Sequence, residues 1–247
     1  MVTKLEVKSR AIQIRNRLGL GLAPISDIFS LVEEHNIVLF KRPIENDNIS
    51  AIYMKDKENC LILINSNKTM GHQIFSAAHE LSHFYFDKNI LGSICSVENN
   101  STNSEMEKNA DLFAAEFLMP EEGVALAAEK RKNKKGKLDI IDIVSLQQYF
   151  KVSWIAILWK LKSLGYIDDV ELYREIGITN LTKKLEYDVS LVTKTKDVYC
   201  SRKYLELVLK CYNNDEISSK RAMEYLADIG FNPDLTIELI AKGEDSD

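Results

Sequence analysis

The chain has 247 residues, enough for one large domain or a core with a smaller companion. Gly and Pro together make up about 6% of it, half the usual share, which favours long helices over a many-stranded barrel and excludes collagen-like or low-complexity classes. Apolar residues at 45% exclude global disorder, and a net charge of −5 speaks against a protein devoted to gripping nucleic acid.

The four cysteines, Cys60, Cys95, Cys200 and Cys211, form no C-x-x-C pair, so reduced thiols in a cytoplasm are the simplest expectation. Met1 to Arg10 is charged and lacks the apolar stretch of a signal peptide, and no apolar run approaches the ~18 residues of a membrane span. A cytoplasmic protein with no membrane contact is expected.

In chain order, residues 4–19 read as a helix stopped by Gly19, and Pro24 opens a second helix to about His35. Ile37–Phe40, Ile49–Met54 and Cys60–Ile64 read as strands, the last two joined by a polar hairpin-like connection. From about Met70 to Asp87 a long helix is predicted, because Ile74, Ala77, Ala78, Leu81 and Phe84 recur at helical spacing. Gly92–Ser104 is polar and is expected to be a loop. The next helix, about Ser104–Met119, carries the apolar stripe Ala110, Phe113, Ala114, Phe117 and Leu118 and stops at Pro120.

A short alanine-rich helix leads into the basic run 130–137, which marks the best internal boundary. Asp139–Leu164 reads as two helices with a tight join at Lys151-Val152-Ser153, a helix-turn-helix-like pattern. Residues 170–247 mix a possible strand pair with two or three helices and have no functional account. The expected division is a core over 1–129, a basic linker with the helix-turn-helix-like segment over 130–170, and a mainly helical region over 171–247.

The chemistry concentrates in His79-Glu80-Leu81-Ser82-His83, an H-E-x-x-H match on the long helix. Residues i and i+4 share a helix face about 6 Å apart, so two imidazoles can converge on one ion. Glu80 can then reach a water at that ion and act as general base and acid. A hydrolytic zinc site needs a third protein ligand. The chain has only four histidines and none follows His83, so a carboxylate is expected.

The second helix offers Glu105, Glu107, Asp111 and Glu116. Glu107 and Asp111 share a stripe with Ala110, Ala114 and Leu118, whose small members allow close approach, whereas Glu105 and Glu116 lie on the other side. Glu107 is the favoured ligand, and Asp111 one turn later can accept the Nδ1 proton of a ligating histidine. Ser104 and Glu107 also match a capping box, in which Glu107 would reach back to the N-cap amide; Thr102 and Glu105 offer an equivalent box. His72, Tyr53 and Tyr85 are weaker candidates for stabilising a developing oxyanion.

These two blocks, H-E-L-S-H and then the run from Glu107 to Pro120, resemble the ImmA/IrrE family of metallo-endopeptidases, whose pattern is H-E-x-x-H followed by E-x-x-A-N-x-F-A-A-x-L-L-M-P. Asp111 stands where that pattern has Asn, and Phe117 where it has Leu. The resemblance covers about residues 10–120, including the Arg-x-x-Leu-Gly stretch from Arg15. It implies an α+β zincin-like fold, one Zn2+ per chain, and cleavage of a protein substrate such as a helix-turn-helix repressor of a phage or mobile element.

The rival expectation is a non-hydrolytic regulator that binds DNA or a repressor through residues 142–165. The second helix there, Trp154 to Lys162, lacks the Arg, Asn and Gln that read base edges, so direct DNA binding is not favoured. Its two tryptophans suit packing or a protein contact.

Overall fold

The computed structural model describes residues 2–56, 59–87, 92–96, 104–133 and 136–230. It is an α+β fold in which a five-stranded mixed sheet lies against helices. None of the described helices is long and apolar enough to cross a membrane.

Helix α1 (Lys4–Arg17) starts at a capping box: Thr3 accepts the Glu6 amide at 3.2 Å, and Glu6 accepts the Thr3 amide. Helix α2 (Ile28–Glu34) begins later than Pro24 suggests. The Asp27 carboxylate accepts the amides of Phe29 and Ser30, and this cap, not the proline, sets the start. Strands β1 (Val38–Arg42), β2 (Ile49–Lys55) and β3 (Cys60–Asn65) follow. β2 and β3 form the expected antiparallel hairpin, with Tyr53 opposite Ile62, while β1 runs parallel to β3 with Val38 opposite Leu61. Buried Asn65 joins the strand ends: its Nδ2 donates to the Ile49 carbonyl and its Oδ1 accepts the Ile44 amide.

Helix α3 (Met70–Phe86) leaves the sheet directly after β3, capped by Thr69. The stretch expected to be a loop begins with a strand, β4 (Gly92–Ser96), which pairs antiparallel with the free edge of β2. Backbone pairing to an open edge outweighs the polar composition there, as strand propensity is set by context. The sheet order is β4-β2-β3-β1-β5, closed on the far side by the short β5 (Tyr199–Cys200). Of the strand pair expected beyond residue 170, β5 is thus one member, pairing with β1.

Helix α4 (Ser104–Leu118) packs across α3, with Ala77 and Ala78 of α3 and Ala110 and Ala114 of α4 all buried. Helix α5 (Glu121–Glu129) follows Pro120, and α6 (Ile140–Phe150) and α7 (Trp154–Ser163) form the helix-turn-helix-like pair. Their turn places Lys151 in the left-handed region, φ 54°, and Gln147 Nε2 donates to the Val152 carbonyl at 2.7 Å. Gly71 makes this pair part of the same body. A Cβ there would lie 2.6 Å from the Ser153 nitrogen, so the absent side chain lets the start of α3 touch the α6–α7 turn. One hydrophobic core accordingly runs from Val7 through Ile62, Leu81 and Phe113 to Leu146, Ile157 and Leu191.

Beyond α7 lie α8 (Glu171–Arg174), α9 (Ile178–Lys184) and a 3-10 turn (Val189–Val192). Helices α10 (Arg202–Asn213) and α11 (Ser219–Asp228) then close a small cluster of their own around Val208, Ala222 and Leu226.

Candidate metal centre

The i, i+4 spacing on α3 does what the helix geometry requires. His79 and His83 point the same way, and their Nε2 atoms lie 3.1 Å apart. From the first turns of α4, Glu107 places Oε2 3.1 Å from His79 Nε2 and Oε1 3.7 Å from His83 Nε2. All three residues are buried, and their ligating atoms fall within 4.8 Å of one another. Glu105, two residues earlier on α4, is exposed. The capping boxes that would compete for Glu107 involve Thr102 and the Ser104 side chain, which lie outside the described residues; the Glu107 carboxylate itself is turned to the histidines.

The outer ring atoms are held as well. His79 Nδ1 lies 2.9 Å from Asp111 Oδ1, and His83 Nδ1 lies 2.8 Å from Asp87 Oδ2. Each carboxylate accepts an Nδ1 proton, which leaves the two Nε2 atoms and Glu107 facing one another. A proton can bridge one of those contacts, whereas a cation at their centre serves all three at once. Hydrogen bonding to His79 holds the Glu107 carboxyl below its ordinary value against desolvation, so it carries charge. Two imidazoles and one carboxylate, buried and oriented by further carboxylates, fit a divalent metal of the zinc type.

Asp87 was not among the residues singled out in the sequence. Its signal was present: it stands at i+4 from His83, at the C-cap of α3. If it orients His83 as the geometry implies, Asp87→Ala should weaken metal binding about 10- to 100-fold, read by competition against a chromogenic chelator. Unchanged affinity would reduce the contact to packing.

Glu80 is fully buried, and neither of its carboxylate oxygens has a hydrogen-bond partner among the described residues. Desolvation pushes its pKa up to about 7, opposed by His79 and His83 and reinforced by Glu107. A buried carboxylate without a donor is costly to keep unless function needs it free. At such a pKa it can take up and release a proton near neutrality.

The weaker candidates separate in space. Tyr53 on β2 is fully buried, with its ring centroid 6.1 Å from that of His83, and burial beside Cys60 and Glu80 raises its phenol strongly. His72 sits in the first turn of α3, about 10 Å along the axis from His79. Its Nε2 contacts the Ser50 hydroxyl at 2.9 Å, and burial pushes its pKa down to about 4, so it stands neutral and away from the three ligating atoms. Tyr85 points elsewhere: its hydroxyl bonds His35 Nε2 at 2.5 Å, and the Arg17 guanidinium lies over its ring.

The supports of this arrangement are remote in sequence. Buried Arg15 of α1 donates to the carbonyls of Gly21, Ala23 and Phe117, which ties the turn after α1 to the end of α4. On α4, the Glu116 carboxylate meets Lys160 of α7 at 2.7 Å, both side chains being buried. It also accepts the Glu121 amide at 2.9 Å.

A search of curated proteins gave no match. Residues 32–162, more than half of the chain, match the model of the Peptidase M78 family, described as the IrrE N-terminal-like domain. That span holds the sheet strands β1 to β4, the whole buried His-His-Glu group and the α6–α7 pair. With a metal-competent donor set in place and a family of metallopeptidases matched across it, the chain belongs to the Peptidase M78, IrrE N-terminal-like family.

Proposed function

We propose that the protein is a cytoplasmic zinc endopeptidase that cuts a peptide bond in a regulatory protein, with a helix-turn-helix repressor as the expected substrate. The observation that carries the hydrolytic part is the buried His79-His83-Glu107 group beside Glu80, whose carboxylate has no hydrogen-bond partner among the described residues. Zinc suits two imidazoles and a carboxylate, and when bound it supplies Lewis-acid polarisation of the scissile carbonyl.

The rest is done by the chain. Asp111 and Asp87 hold the Nδ1 protons of His79 and His83, which fixes the tautomer that presents Nε2 inward. Glu80 takes a proton from the attacking water onto a carboxylate oxygen as the new carbon–oxygen bond forms. It then delivers that proton to the amine nitrogen as the carbon–nitrogen bond breaks, so two new termini leave and Glu80 is restored. Burial of Glu80, which pushes its pKa up to about 7, keeps its basicity matched to this transfer.

The repressor as substrate rests on the family likeness. The rival reading, regulation by DNA binding through α6–α7, has less support. The partly exposed residues Ile155, Ala156 and Trp159 of α7 carry no base-reading amide or guanidinium.

Elemental analysis of the purified protein tests the proposal. About one zinc per chain is expected. Glu107→Ala should lose it and Glu105→Ala should keep it, and chelation should stop hydrolysis of a repressor until zinc is returned. No stoichiometric metal would sink the site, and hydrolysis indifferent to chelation would sink the mechanism.

A further inference from the structure

A groove lies at the far end of α4 from the His-His-Glu group and serves none of the steps above. Arg15 donates to the carbonyls of Ala23 and Phe117, so the turn after α1 is fixed to the last turn of α4. Phe117 stands ten residues beyond Glu107, about 15 Å along the helix. There the turn meets α5 and α6 around a concavity of about 410 Å³. Gly123 lets α5 come that close, because a Cβ on it would collide with the Leu22 carbonyl.

Three large apolar side chains left in solvent converge on this groove from three elements. Leu22 of the turn is 40% exposed, Leu126 of α5 55% and Tyr149 of α6 46%, and all three line it. Exposed leucines scattered singly need no explanation, but apolar side chains gathered at one concavity mark a contact surface. The charged side chains of the lining are Lys130 and Arg131, and no carboxylate lines it. Neither cation makes an ion pair among the described residues. Arg131 is held by neutral partners: Nε donates to Ser145 Oγ at 3.1 Å, Nη1 donates to the Ala127 carbonyl at 2.9 Å, and the guanidinium lies 5.4 Å from the Tyr149 ring centroid.

The neighbouring acids do not cancel this charge. On α5, Glu121 pairs with Lys8 and Glu129 with Lys132, and Glu129 also accepts the Tyr166 hydroxyl. On α6, Asp139 and Asp142 cap their own helix. Glu122 is exposed one turn before Leu126 and lies outside the lining; counting it still leaves the two cations in excess. The sequence adds four more cations by Lys137. A lone phosphate would leave the apolar side chains bare. Nucleic acid needs open rings to stack on, whereas the Tyr149 ring already carries the Arg131 guanidinium. A polypeptide segment supplies both an apolar side chain for the trough and carboxylates for its cations.

We propose that this groove docks an acidic, apolar-faced segment of a partner protein. The inference goes beyond the hydrolytic reading and holds whether or not that partner is also cut.

The probe is a fluorescent helical peptide with leucines on one face and glutamates on the other, read by anisotropy against the full chain. Its lysine counterpart and a scramble of the same composition are read beside it. The glutamate peptide should bind at least about tenfold more tightly than either. Lys130→Glu and Leu126→Glu, both at exposed positions, should each weaken it by about tenfold or more. Leu172→Glu, at an exposed leucine outside the groove, should leave binding unchanged, and circular dichroism checks that each variant is folded. Glu107→Ala, which should lose the metal, should bind the peptide as the unaltered chain does, so failure of docking and failure of the metal site are told apart. Equal binding of the three peptides, no binding of any, equal loss in Leu172→Glu, or binding indifferent to both groove variants would overturn the proposal. So would duplex DNA, or vesicles of phosphatidylserine, that bind more tightly than the peptide and lose affinity in the same two variants, because the groove would then serve a phosphate-bearing surface.

Discussion

Glu80→Gln should lower peptide hydrolysis by about 10²- to 10⁴-fold while leaving bound metal at the level of the unaltered protein. The amide is nearly the same size as the carboxylate, so the fully buried pocket stays filled. It also replaces a buried charge, whose oxygens have no hydrogen-bond partner among the described residues, with a neutral amide, so folding should not suffer. What disappears is the capacity to accept a proton from water and hand it on. Single-turnover cleavage of a repressor together with metal analysis separates the two effects. Loss of metal in parallel with activity would make Glu80 a structural element of the site. Retained hydrolysis would mean that another group moves the proton.

The second large effect concerns stability. Lys160→Ala should destabilise the fold by about 3 to 5 kcal/mol, because it leaves the Glu116 carboxylate buried without its cation. For a chain of this size that corresponds to a drop in melting temperature on the order of 10 °C. Removing the pair, as in Lys160→Met with Glu116→Leu, should recover much of the loss, since replacing both partners by apolar groups is often close to neutral. Thermal denaturation of the single and double variants checks this. A single variant as stable as the parent would show that Glu116 is adequately held by the Glu121 amide and by nearby Arg15. The pair matters for function because Glu116 rides on the helix that carries Glu107 and Asp111. Lys160 thus ties α7 to the part of the molecule that carries the His-His-Glu group.

Much of the metal centre was legible because its information is local. An i, i+4 histidine pair on an amphipathic helix declares a shared face without reference to anything else. The lack of any histidine after His83 then forces the third ligand onto an acid. Helical phase alone separates Glu107 from Glu105, and the structure gives them opposite environments, one buried against the histidines and the other exposed. Asp111 was readable from the same phase. Asp87 obeyed a similar rule and was overlooked only because it sits past the helix end.

Other features had no local signature. β4 is a strand because β2 has an open edge beside it, and nothing in the polar composition of that segment announces the edge. The start of α2 was decided by the capping reach of Asp27, which outweighs a proline three residues earlier.

Composition, spacing and helical phase by themselves pointed to an α+β chain of helical weight, the histidine pair, the acid between its members, and the carboxylate that meets the two imidazoles. Each of these follows from geometry within one helix or from the count of available ligands. Tertiary structure alone decided that Glu80 is buried without a hydrogen-bond partner among the described residues, that Asp87 and Asp111 hold the two imidazoles from outside, and that α7 is bound by Lys160 to α4. Those facts depend on which distant helices are brought within a few ångströms of α3, and burial, desolvation and ion pairing are properties of that assembly, not of any stretch of sequence.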